Sequence, residues 1–441
     1  MKVKSYKYDK GITVSTDLSY KLIDETATLG TPKYIFVPLK QYKGAPPVIM
    51  IEVGEEVYVG SILAKGRTCS ILSPATGKVV AIEKRPSVYG GVCDHIIIET
   101  SPEESYSCLS DLEADGLSPE QILKRIFECG IVNNDGVPLY KKLAIEEGDA
   151  VDSIVINACT DEPLINSTTM LLNTMPNEIV QGIEYIVRCL GVNDVKIAMT
   201  NSTFNKLGEF LSIFEGYNGF TNFEIAKVSD RYPVGDESEL IYTLFKNATR
   251  KLKKIKTTKQ IVVDASCCFS VYQAVKHGYA DDYKLITVTG VGEDGHEQKN
   301  VWVKVGMTIG DVLCQVGDPP KDNTKIIVGG AMRGLAVRGF DCSITKTTKG
   351  VIILSGDACK TEHETQCNGC GKCAEVCPKR LLPYKLDELS QNEDYEGCKK
   401  FGAEYCTKCG CCSYVCPTKR NLVQRIVYAK DVIEGKGGDR I

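Results

Sequence analysis

The sequence of 441 residues has only one tryptophan and four histidines, and no apolar run long enough to cross a membrane. Its amino-terminal stretch, MKVKSYKYDKG, lacks the apolar segment of a secretory signal peptide. The net charge of −4 argues against nucleic acid as the main partner. We therefore expect a cytoplasmic protein without a transmembrane segment. Peripheral attachment at the inner face of the cell membrane stays open.

Cysteine, in contrast, is abundant. The chain has 21 cysteines, which do not form the framework of a small secreted disulfide-rich domain. Free thiols and thiolate ligands both indicate a reducing cytosol. Hydrophobic residues make up 43% and charged residues 25% of the chain, as is usual for globular domains. The length predicts roughly two to four domains.

Eight of the cysteines stand in two runs near the carboxyl terminus. The runs read CNGCGKCAEVCP, from Cys367 to Pro378, and CTKCGCCSYVCP, from Cys406 to Pro417. Each has the spacing C-x2-C-x2-C-x3-C-P, which is typical of [4Fe–4S] clusters in bacterial ferredoxins. Three closely spaced thiolates on one loop can face three irons of a cubane. The fourth cysteine then begins a helix that the proline favours.

In two-cluster ferredoxins the fourth cysteine of each run binds the other cluster. We therefore assign one cluster to Cys367, Cys370, Cys373 and Cys416, and the other to Cys406, Cys409, Cys412 and Cys377. This crossing keeps the clusters close enough for stepwise electron transfer. The alternative, a pair of zinc knuckles, is disfavoured because zinc sites usually use two separated CxxC pairs. The additional Cys411 should lie near a cluster without binding it.

Three segments with distinct sequence patterns precede these runs. Short strands separated by glycine and proline fill residues 34–100 and predict a small all-β unit. The spacing of its strands and turns resembles that of the barrel-sandwich hybrid of lipoyl and biotinyl carriers. The hairpin tip at residues 74–77, however, lacks the lysine that is modified in those carriers. From 152 to 280 strands and helices alternate, which indicates an α/β layer with a largely parallel sheet. Residues 284–340 resemble a soluble-ligand-binding β-grasp module.

The basic run 250–259 is interpreted as a solvated face, with a docking patch as the alternative.

Several side chains follow buried strands of the α/β region. The turn Asn157–Pro163 comes directly after one strand, and ligands bind at the carboxyl ends of strands in such sheets. An acidic turn there could hydrogen-bond a flavin or ribose hydroxyl, although a solvated turn explains it equally well. Cys159, Cys267 and Cys268 also follow strands. We hypothesise a redox-active thiol site, with simple packing residues as the alternative.

Together these segments resemble the C subunit of the Rnf electron-transport complex and its soluble relatives over most of the chain. VPLKQYKGAPPVIMIEVGEEVYVGSILAKG is similar to that family's amino-terminal segment. INACTDEP resembles the flavin-contacting segment of the NADH-oxidising subunit of respiratory complex I. RYPVGDESELIYTLF, Arg231–Phe245, resembles the family's Tyr-Pro-x-Gly stretch. The resemblance implies NADH oxidation at FMN and electron flow through two [4Fe–4S] clusters.

The chain departs from the family in the loop on which FMN phosphate and NADH rest. The family has GLGGAGFPT, whereas this chain has IVNNDGVPLYKK with little glycine. Thr160 replaces the first of the family's two glutamates. The cofactor-binding remnant that the resemblance implies consists of Gly130, Gly136, Lys141, Asn157 and Glu162. Because Asp135 would repel a phosphate, we expect no stoichiometric FMN, although weak flavin binding stays open.

The resemblance implies a multidomain fold of α/β type with small β modules. We expect an amino-terminal segment with a barrel-sandwich hybrid at 1–105 and a Rossmann-like α/β domain of flavoprotein type at 118–282. A β-grasp module should follow at 283–345 and a two-cluster ferredoxin domain at 355–430.

Three functions remain open at this point. In the first, the protein is an iron–sulfur relay that passes electrons to or from a partner reductase, in particular proline reductase. In the second, it is an NADH:acceptor oxidoreductase with FMN, such as an Rnf subunit or a cobalamin reductase. In the third, the α/β region is a scaffold that docks the ferredoxin domain. The expected partner is a reductase, a ferredoxin or an Rnf-type complex.

Overall fold

The computed structural model describes residues 2–14, 26–107, 116–146, 150–217, 219–220, 222–245, 259–291, 298–317, 324–360 and 362–435. The basic run 250–259 lies outside these ranges except for Lys259. In the described part of the chain, no helix is both long enough and apolar enough to cross a membrane.

Two small antiparallel sheets around one core form the first unit. Its strands are β3 (Tyr34–Pro38), β4 (Val48–Ile49), β5 (Glu56–Val57), β6 (Ile62–Lys65), β7 (Ser70–Leu72), β8 (Gly77–Pro86) and β9 (Val92–Thr100). One sheet has the order β3-β9-β8-β5 and the other β4-β6-β7. Alternating apolar residues such as Ile35, Val37, Ile96 and Ile98 fill the space between them. This is the all-β unit that the sequence predicts.

The strands that precede this unit join other sheets. They are β1 (Lys2–Tyr6) and β2 (Thr26–Thr28). β1 pairs in parallel with a strand of the α/β unit, so that Lys2 lies opposite Glu224. β2 pairs with the strand that carries Trp302. These pairings join residues far apart in the chain, and the expected division that keeps residues 1–105 together stays a prediction.

The α/β unit contains a parallel sheet with helices on both faces. Its elements are α1 (Pro119–Glu128), α2 (Leu139–Leu143), β10 (Val151–Asn157), α3 (Ser167–Thr174), α4 (Pro176–Leu190), β11 (Asp194–Thr200), α5 (Asn201–Phe204), α6 (Gly208–Ser212), β12 (Asn222–Val228), α7 (Glu237–Leu244), β13 (Lys259–Asp264) and α8 (Ala265–Tyr272), which continues as a π-helical turn, Gln273–His277. The strand order is β1-β12-β11-β10-β13. Ile154 and Ile156 pack on one side of the sheet and Val155 on the other, as expected for a strand buried on both faces.

Local signals explain where α1 begins. The Ser118 hydroxyl accepts a hydrogen bond from the Gln121 amide, and the Gln121 side chain accepts one from the Ser118 amide. Pro119 occupies the first helical position, where its missing N–H costs nothing. The capping box that the sequence predicts is confirmed.

The third unit is a mixed sheet packed against a helix. Its elements are β14 (Tyr283–Val291), β15 (Lys299–Lys304), α9 (Ile309–Gln315), β16 (Lys325–Val328), β17 (Leu335–Val337) and β18 (Gly350–Leu354), followed by a 3-10 turn, Gly356–Cys359. The strand order is β17-β16-β18-β14-β15-β2. Ile309, Val312 and Leu313 of α9 are buried against this sheet.

The fourth unit is helical and carries both cysteine runs. It contains α10 (Lys372–Val376), α11 (Pro383–Gln391), α12 (Tyr395–Lys400), a 3-10 turn (Ala403–Tyr405), α13 (Cys411–Tyr414) and α14 (Leu422–Ile433). Helices α11 and α12 form an insertion between the two runs. They pack on α14 through Leu386, Cys398 and Ile426.

Candidate functional site

The two cysteine runs adopt the same local geometry. In each run a short helix, α10 or α13, carries the third cysteine and begins directly after a glycine in the left-handed region, and the fourth cysteine and the proline follow the helix. These glycines are Gly371 at φ 75° and Gly410 at φ 80°. Glycine adopts this conformation without steric cost, so both loops can turn sharply between their second and third cysteines.

The structure brings seven of the eight cysteines together in the crossed groups that we assigned. Burial raises the pKa of the Cys373 thiol, and the adjacent thiols of Cys416 and Cys367 raise it further. In the other group, burial raises the pKa of Cys377, and the adjacent thiols of Cys409 and Cys406 add to the shift.

The remaining two cysteines complete this picture. Cys412 belongs with the second group, since Cys409, Cys406 and Cys377 all contribute to its raised pKa after burial. Cys370 lies on the same exposed loop as Cys367. Binding of iron by these eight thiols stays a prediction.

Four of the assigned thiols surround one cavity. They belong to Cys377, Cys406, Cys409 and Cys412. Thiolate donors around such a cavity fit a [4Fe–4S] cluster.

The two groups differ in exposure. In the first group Cys367 and Cys370 are exposed and Cys373 and Cys416 are buried, so this group opens to the surface on one side. In the second group Cys377, Cys409 and Cys412 are buried and Cys406 is half-buried. The second group therefore faces the interior of the protein, and we call the two groups the exposed and the buried cysteine quartet.

The buried quartet lies against the α/β unit. The Tyr232 hydroxyl donates a hydrogen bond to the Cys409 carbonyl at 2.7 Å. Cys411 is fully buried, and its thiol lies 3.9 Å from the Tyr232 carbonyl. A hydrogen bond from Cys411 lowers the pKa of the Cys409 thiol to about 7. Cys411 thus lies beside the predicted cluster, as expected.

Polar side chains also gather at the carboxyl ends of β10 and β13, and we call this region the acidic cleft. Asn157 ends β10 and donates to Asp264 Oδ1 at 3.0 Å and to the Gly235 carbonyl at 3.0 Å. Asp264 ends β13. The loop 130–138 lies over these strand ends, because the Asp264 amide donates to Asn133 Oδ1 at 3.0 Å.

Most backbone amides of the loop 130–138 have partners inside the protein. The Val132 amide donates to Asp281 Oδ2 at 3.4 Å, and the Asn134 amide to Asp264 Oδ2 at 2.9 Å. Gly136 donates to the Asn133 carbonyl at 2.8 Å. At the start of the loop, a Cβ on Gly130 would clash with the Ser70 carbonyl oxygen, so this end is closed by the barrel-type unit.

Asp135 does not face the cleft as an uncompensated charge. Its carboxylate lies 2.8 Å from Lys142 Nζ, which also contacts Glu237 at 2.7 Å. Burial alone would raise the pKa of Asp135, but the charge of Lys142 lowers it overall. Lys141 is exposed, whereas Lys142 faces the cleft, because successive helical residues point about 100° apart. A cofactor-binding role of Lys141 stays a prediction.

Glu162 binds a loop of the third unit. Its Oε1 accepts hydrogen bonds from the Met332 amide at 2.6 Å and the Arg333 amide at 3.2 Å. A Cβ on Gly330 would clash with the Glu162 side chain, which explains why glycine stands there. Burial raises the pKa of Glu162. This carboxylate is therefore engaged with the protein itself.

Sequence reasoning missed Arg333. Its guanidinium contacts Asp236 at 2.9 Å and lies 5.7 Å from the centre of the Tyr232 ring. Arg333 thus stands between the acidic cleft and the buried quartet. No motif in the chain identifies it, because it becomes important only when the third unit packs on the α/β unit.

The three candidate redox thiols do not come together. Cys159 packs on one face of the sheet, whereas Cys267 and Cys268 lie in the core on the other face. Each thiol donates to a different backbone carbonyl, those of Ala198, Val132 and Asp264 respectively. Burial raises the pKa of all three. Their shared position after strands does not determine which face they occupy.

The cleft as it stands does not fit the phosphate of FMN. Its loop amides are taken by internal acceptors, and its acidic side chains outnumber its cations. The acids are Asp135, Asp161, Glu162, Asp236, Glu237 and Asp264. The cations are Lys142 and Arg333, both bound to acids of this set, and Lys349, whose charge opposes the raised pKa of Asp161. A phosphate would meet few donors and a like-charged surrounding.

Comparison with known families agrees with this architecture. A model described as the RnfC barrel sandwich hybrid domain matches residues 6–103. A model described as the Nuo51 FMN-binding domain matches residues 126–273. A model of the 4Fe-4S dicluster domain matches residues 366–420. These matches confirm the barrel-sandwich hybrid, the α/β domain of FMN-binding type and the dicluster domain.

Relatives that match most of the chain agree with these family models. The chain is 30% identical over 407 residues to the C subunit of the proton-translocating ferredoxin:NAD(+) oxidoreductase complex of Clostridium ljungdahlii, covering 90% of this chain and 88% of that protein. It is 26% identical over 411 residues to the Na(+)-translocating counterpart of Acetobacterium woodii, covering 90% of each. It is 28% identical over 436 residues to the C subunit of the ion-translocating oxidoreductase complex of Rhodobacter capsulatus, covering 97% of this chain and 83% of that protein. The chain therefore belongs to the family of C subunits of Rnf-type ion-translocating ferredoxin:NAD+ oxidoreductases.

Proposed function

We propose that this protein is an electron-transfer subunit of an Rnf-type ferredoxin:NAD+ oxidoreductase complex, attached peripherally at the cytoplasmic face of the membrane. Relatives named as subunits of such complexes support this partner over a soluble reductase. Their names do not specifically indicate the proline-reductase-linked paralogue, so that partner stays a prediction.

The observation that carries the proposal is the arrangement of the two cysteine quartets. When bound, two [4Fe–4S] clusters supply one-electron relay sites. Cys377 and Cys416 each cross to the other run, which holds the two sites next to each other. The exposed Cys367 and Cys370 would give a redox partner close access to one site. Tyr232 holds the loop of the other site against the α/β domain.

We also propose the domain division of this relay. The barrel-sandwich hybrid lies within 1–105, the α/β domain within 118–282 and the ferredoxin-like domain within 355–430, with β1 and β2 exchanged into neighbouring sheets. Residues 283–345 are proposed as a soluble-ligand-binding β-grasp module. Their mixed sheet with the helix α9 supports this.

Anaerobic purification with quantitation of iron, sulfide and zinc tests the relay. We expect about eight irons per chain, and bleaching by dithionite or by a reduced ferredoxin. A preparation that holds zinc and little iron after anaerobic reconstitution would overturn the proposal. A pull-down would separate a relay from a mere scaffold. The wild-type protein, with the exposed quartet intact, should recover the other members of the complex, and Cys370→Ala should lose them.

A second function is supported by the match of residues 126–273 to the FMN-binding domain. In that case the protein is an NADH:acceptor oxidoreductase that carries FMN. One FMN per purified chain and rapid NADH-driven reduction of viologen dyes would establish it. The occupied loop amides lead us to expect neither result.

A further inference from the structure

The loop 130–138 has the position of an anion subsite in the α/β domain. It joins α1 to α2 above the carboxyl ends of β10 and β13, where ligands bind in sheets of this type. A phosphate at such a place is usually held by backbone amides and side-chain amides that point inward. The Asn134 amide and the Asn157 side-chain amide are two such donors here.

Both donors point at one internal carboxylate. Asp264 Oδ2 accepts from the Asn134 amide at 2.9 Å, and Oδ1 accepts from Asn157 Nδ2 at 3.0 Å. Asp264 stands at the cap position of α8, yet its side chain does not cap that helix. Its own amide donates to Asn133 Oδ1 at 3.0 Å. With 6% of its surface exposed, Asp264 has turned away from its helix and into the loop.

We infer that Asp264 occupies the anion subsite of this domain as a built-in substitute for a ligand's phosphate. A carboxylate that accepts two N–H donors uses the same interactions that a phosphate oxygen would use. While Asp264 stays there, a phosphate must lose both donors and also meet a negative charge. The domain therefore does not distinguish a phosphorylated flavin from an unphosphorylated one.

The surrounding charges support this inference. Lys142 contacts Asp135 of the loop and is shared with Glu237, and Lys346 donates to the Gly130 carbonyl at 2.6 Å. Arg333 is paired with Asp236. Lys284 is likewise paired with Asp281, so these cations are engaged inside the protein.

Flavin titrations of Asp264 variants test the inference. FMN and riboflavin are the probes, since they differ only in the phosphate, and flavin fluorescence polarisation reports their binding. The wild-type protein should bind FMN no more tightly than riboflavin. Asp264→Ala frees both donors and removes the charge, so it should bind FMN at least tenfold more tightly than riboflavin. Inorganic phosphate should then displace FMN from the variant.

Asp194→Ala is the matched control, because Asp194 begins β11 at the opposite, amino-terminal edge of the same sheet. It should behave like the wild type. If Asp264→Ala does not fold, the isosteric Asp264→Asn decides, with a smaller gain in the same direction. A wild-type protein that purifies with stoichiometric FMN, or folded variants that gain no preference for FMN, would overturn the inference. Iron content measured on the same samples tests the relay separately, so the two proposals can fail independently.

Discussion

The hydroxyl of Tyr232 donates a hydrogen bond of 2.7 Å to the carbonyl oxygen of Cys409. Tyr232 is buried in one small apolar cluster with Ile12, Cys409 and Cys411. The α/β unit and the second cysteine run therefore share a core at this place. The bond helps to hold the loop that carries Cys409, together with Lys430, whose ammonium group donates to the Cys406 carbonyl at 3.1 Å.

Removing this hydroxyl should loosen the buried quartet. In Tyr232→Phe the carbonyl of Cys409 loses its donor in a buried place, which costs about 1–3 kcal/mol. We expect about eight irons after anaerobic purification but faster loss of visible cluster absorbance in air. Tyr384→Phe, at an exposed tyrosine of the helical unit that carries the cysteine runs, is the control. Equal decay rates in wild type and Tyr232→Phe would contradict the role of this bond.

The crossed quartets predict which of the two clusters each cysteine binds. Cys373→Ala should lose the exposed cluster and Cys409→Ala the buried one, so each should fall from about eight to about four irons per chain. Cys398→Ala is the control, because its thiol donates to the Leu386 carbonyl and lies outside both quartets. Iron and sulfide analysis with EPR of the reduced samples measures the outcome. Full iron content in Cys373→Ala would refute the assignment.

Arg333 should tune the buried cluster. A hydrogen bond from Cys411 and the charge of Arg333 both lower the pKa of Cys409, so this place favours negative charge. Reduction adds negative charge to a cluster bound there. In Arg333→Gln we expect the equilibrium constant for reduction to fall about tenfold, which is about 59 mV for one electron. Potentiometric titration followed by EPR measures the shift.

The control for this experiment is Arg67→Gln, at an exposed arginine of the barrel-sandwich hybrid. It should leave both midpoint potentials unchanged. The exposed cluster should also shift less than the buried one in Arg333→Gln, because Arg333 contacts Tyr232 on the buried side. A midpoint potential that stays constant or rises would show that Arg333 acts only as a packing residue.

Asp282 should make stability depend on pH. It lines a cavity of about 570 Å³ between the barrel-sandwich hybrid, the α/β domain and the third unit. Its Oδ2 is buried and has no hydrogen-bond partner among the described residues. Burial raises the pKa of Asp282 to about 7, although the nearby charges of Lys304 and Lys346 oppose this shift.

The sign of the pH dependence of stability follows from the raised pKa of Asp282. Since the folded pKa lies above the unfolded value of about 3.9, the folded state binds more protons between about pH 4 and 7. The free energy of unfolding therefore falls as the pH rises through this range. Asp282→Asn removes this decrease in the free energy of unfolding. The melting temperature of the variant should therefore exceed that of the wild type at pH 8 and approach it near pH 5. Asp357→Asn, at an exposed carboxylate, is the control. A difference that does not vary with pH would contradict the assignment.

Local patterns in the sequence are enough to predict the elements that depend on near neighbours. The capping box at Ser118 and Gln121 involves residues three positions apart, and the structure confirms it. Apolar periodicity predicts the strand that ends at Asn157 and the helix that ends at Leu190. Lys142 was missed because choosing it over Lys141 requires knowing which side of α2 faces the cleft.

The sequence by itself determined the two cysteine runs, since the spacing of thiols within one tight loop is a local property of the chain. It also determined the order of domains, through the composition of each segment. Only the tertiary structure decided that one quartet is exposed and the other buried, and that Arg333 stands between the cleft and the buried quartet. Only the tertiary structure placed Asp264 in the loop, because it joins Asn134 across 130 residues of chain. Such contacts arise when separate units pack together, and no local pattern records which partners will meet.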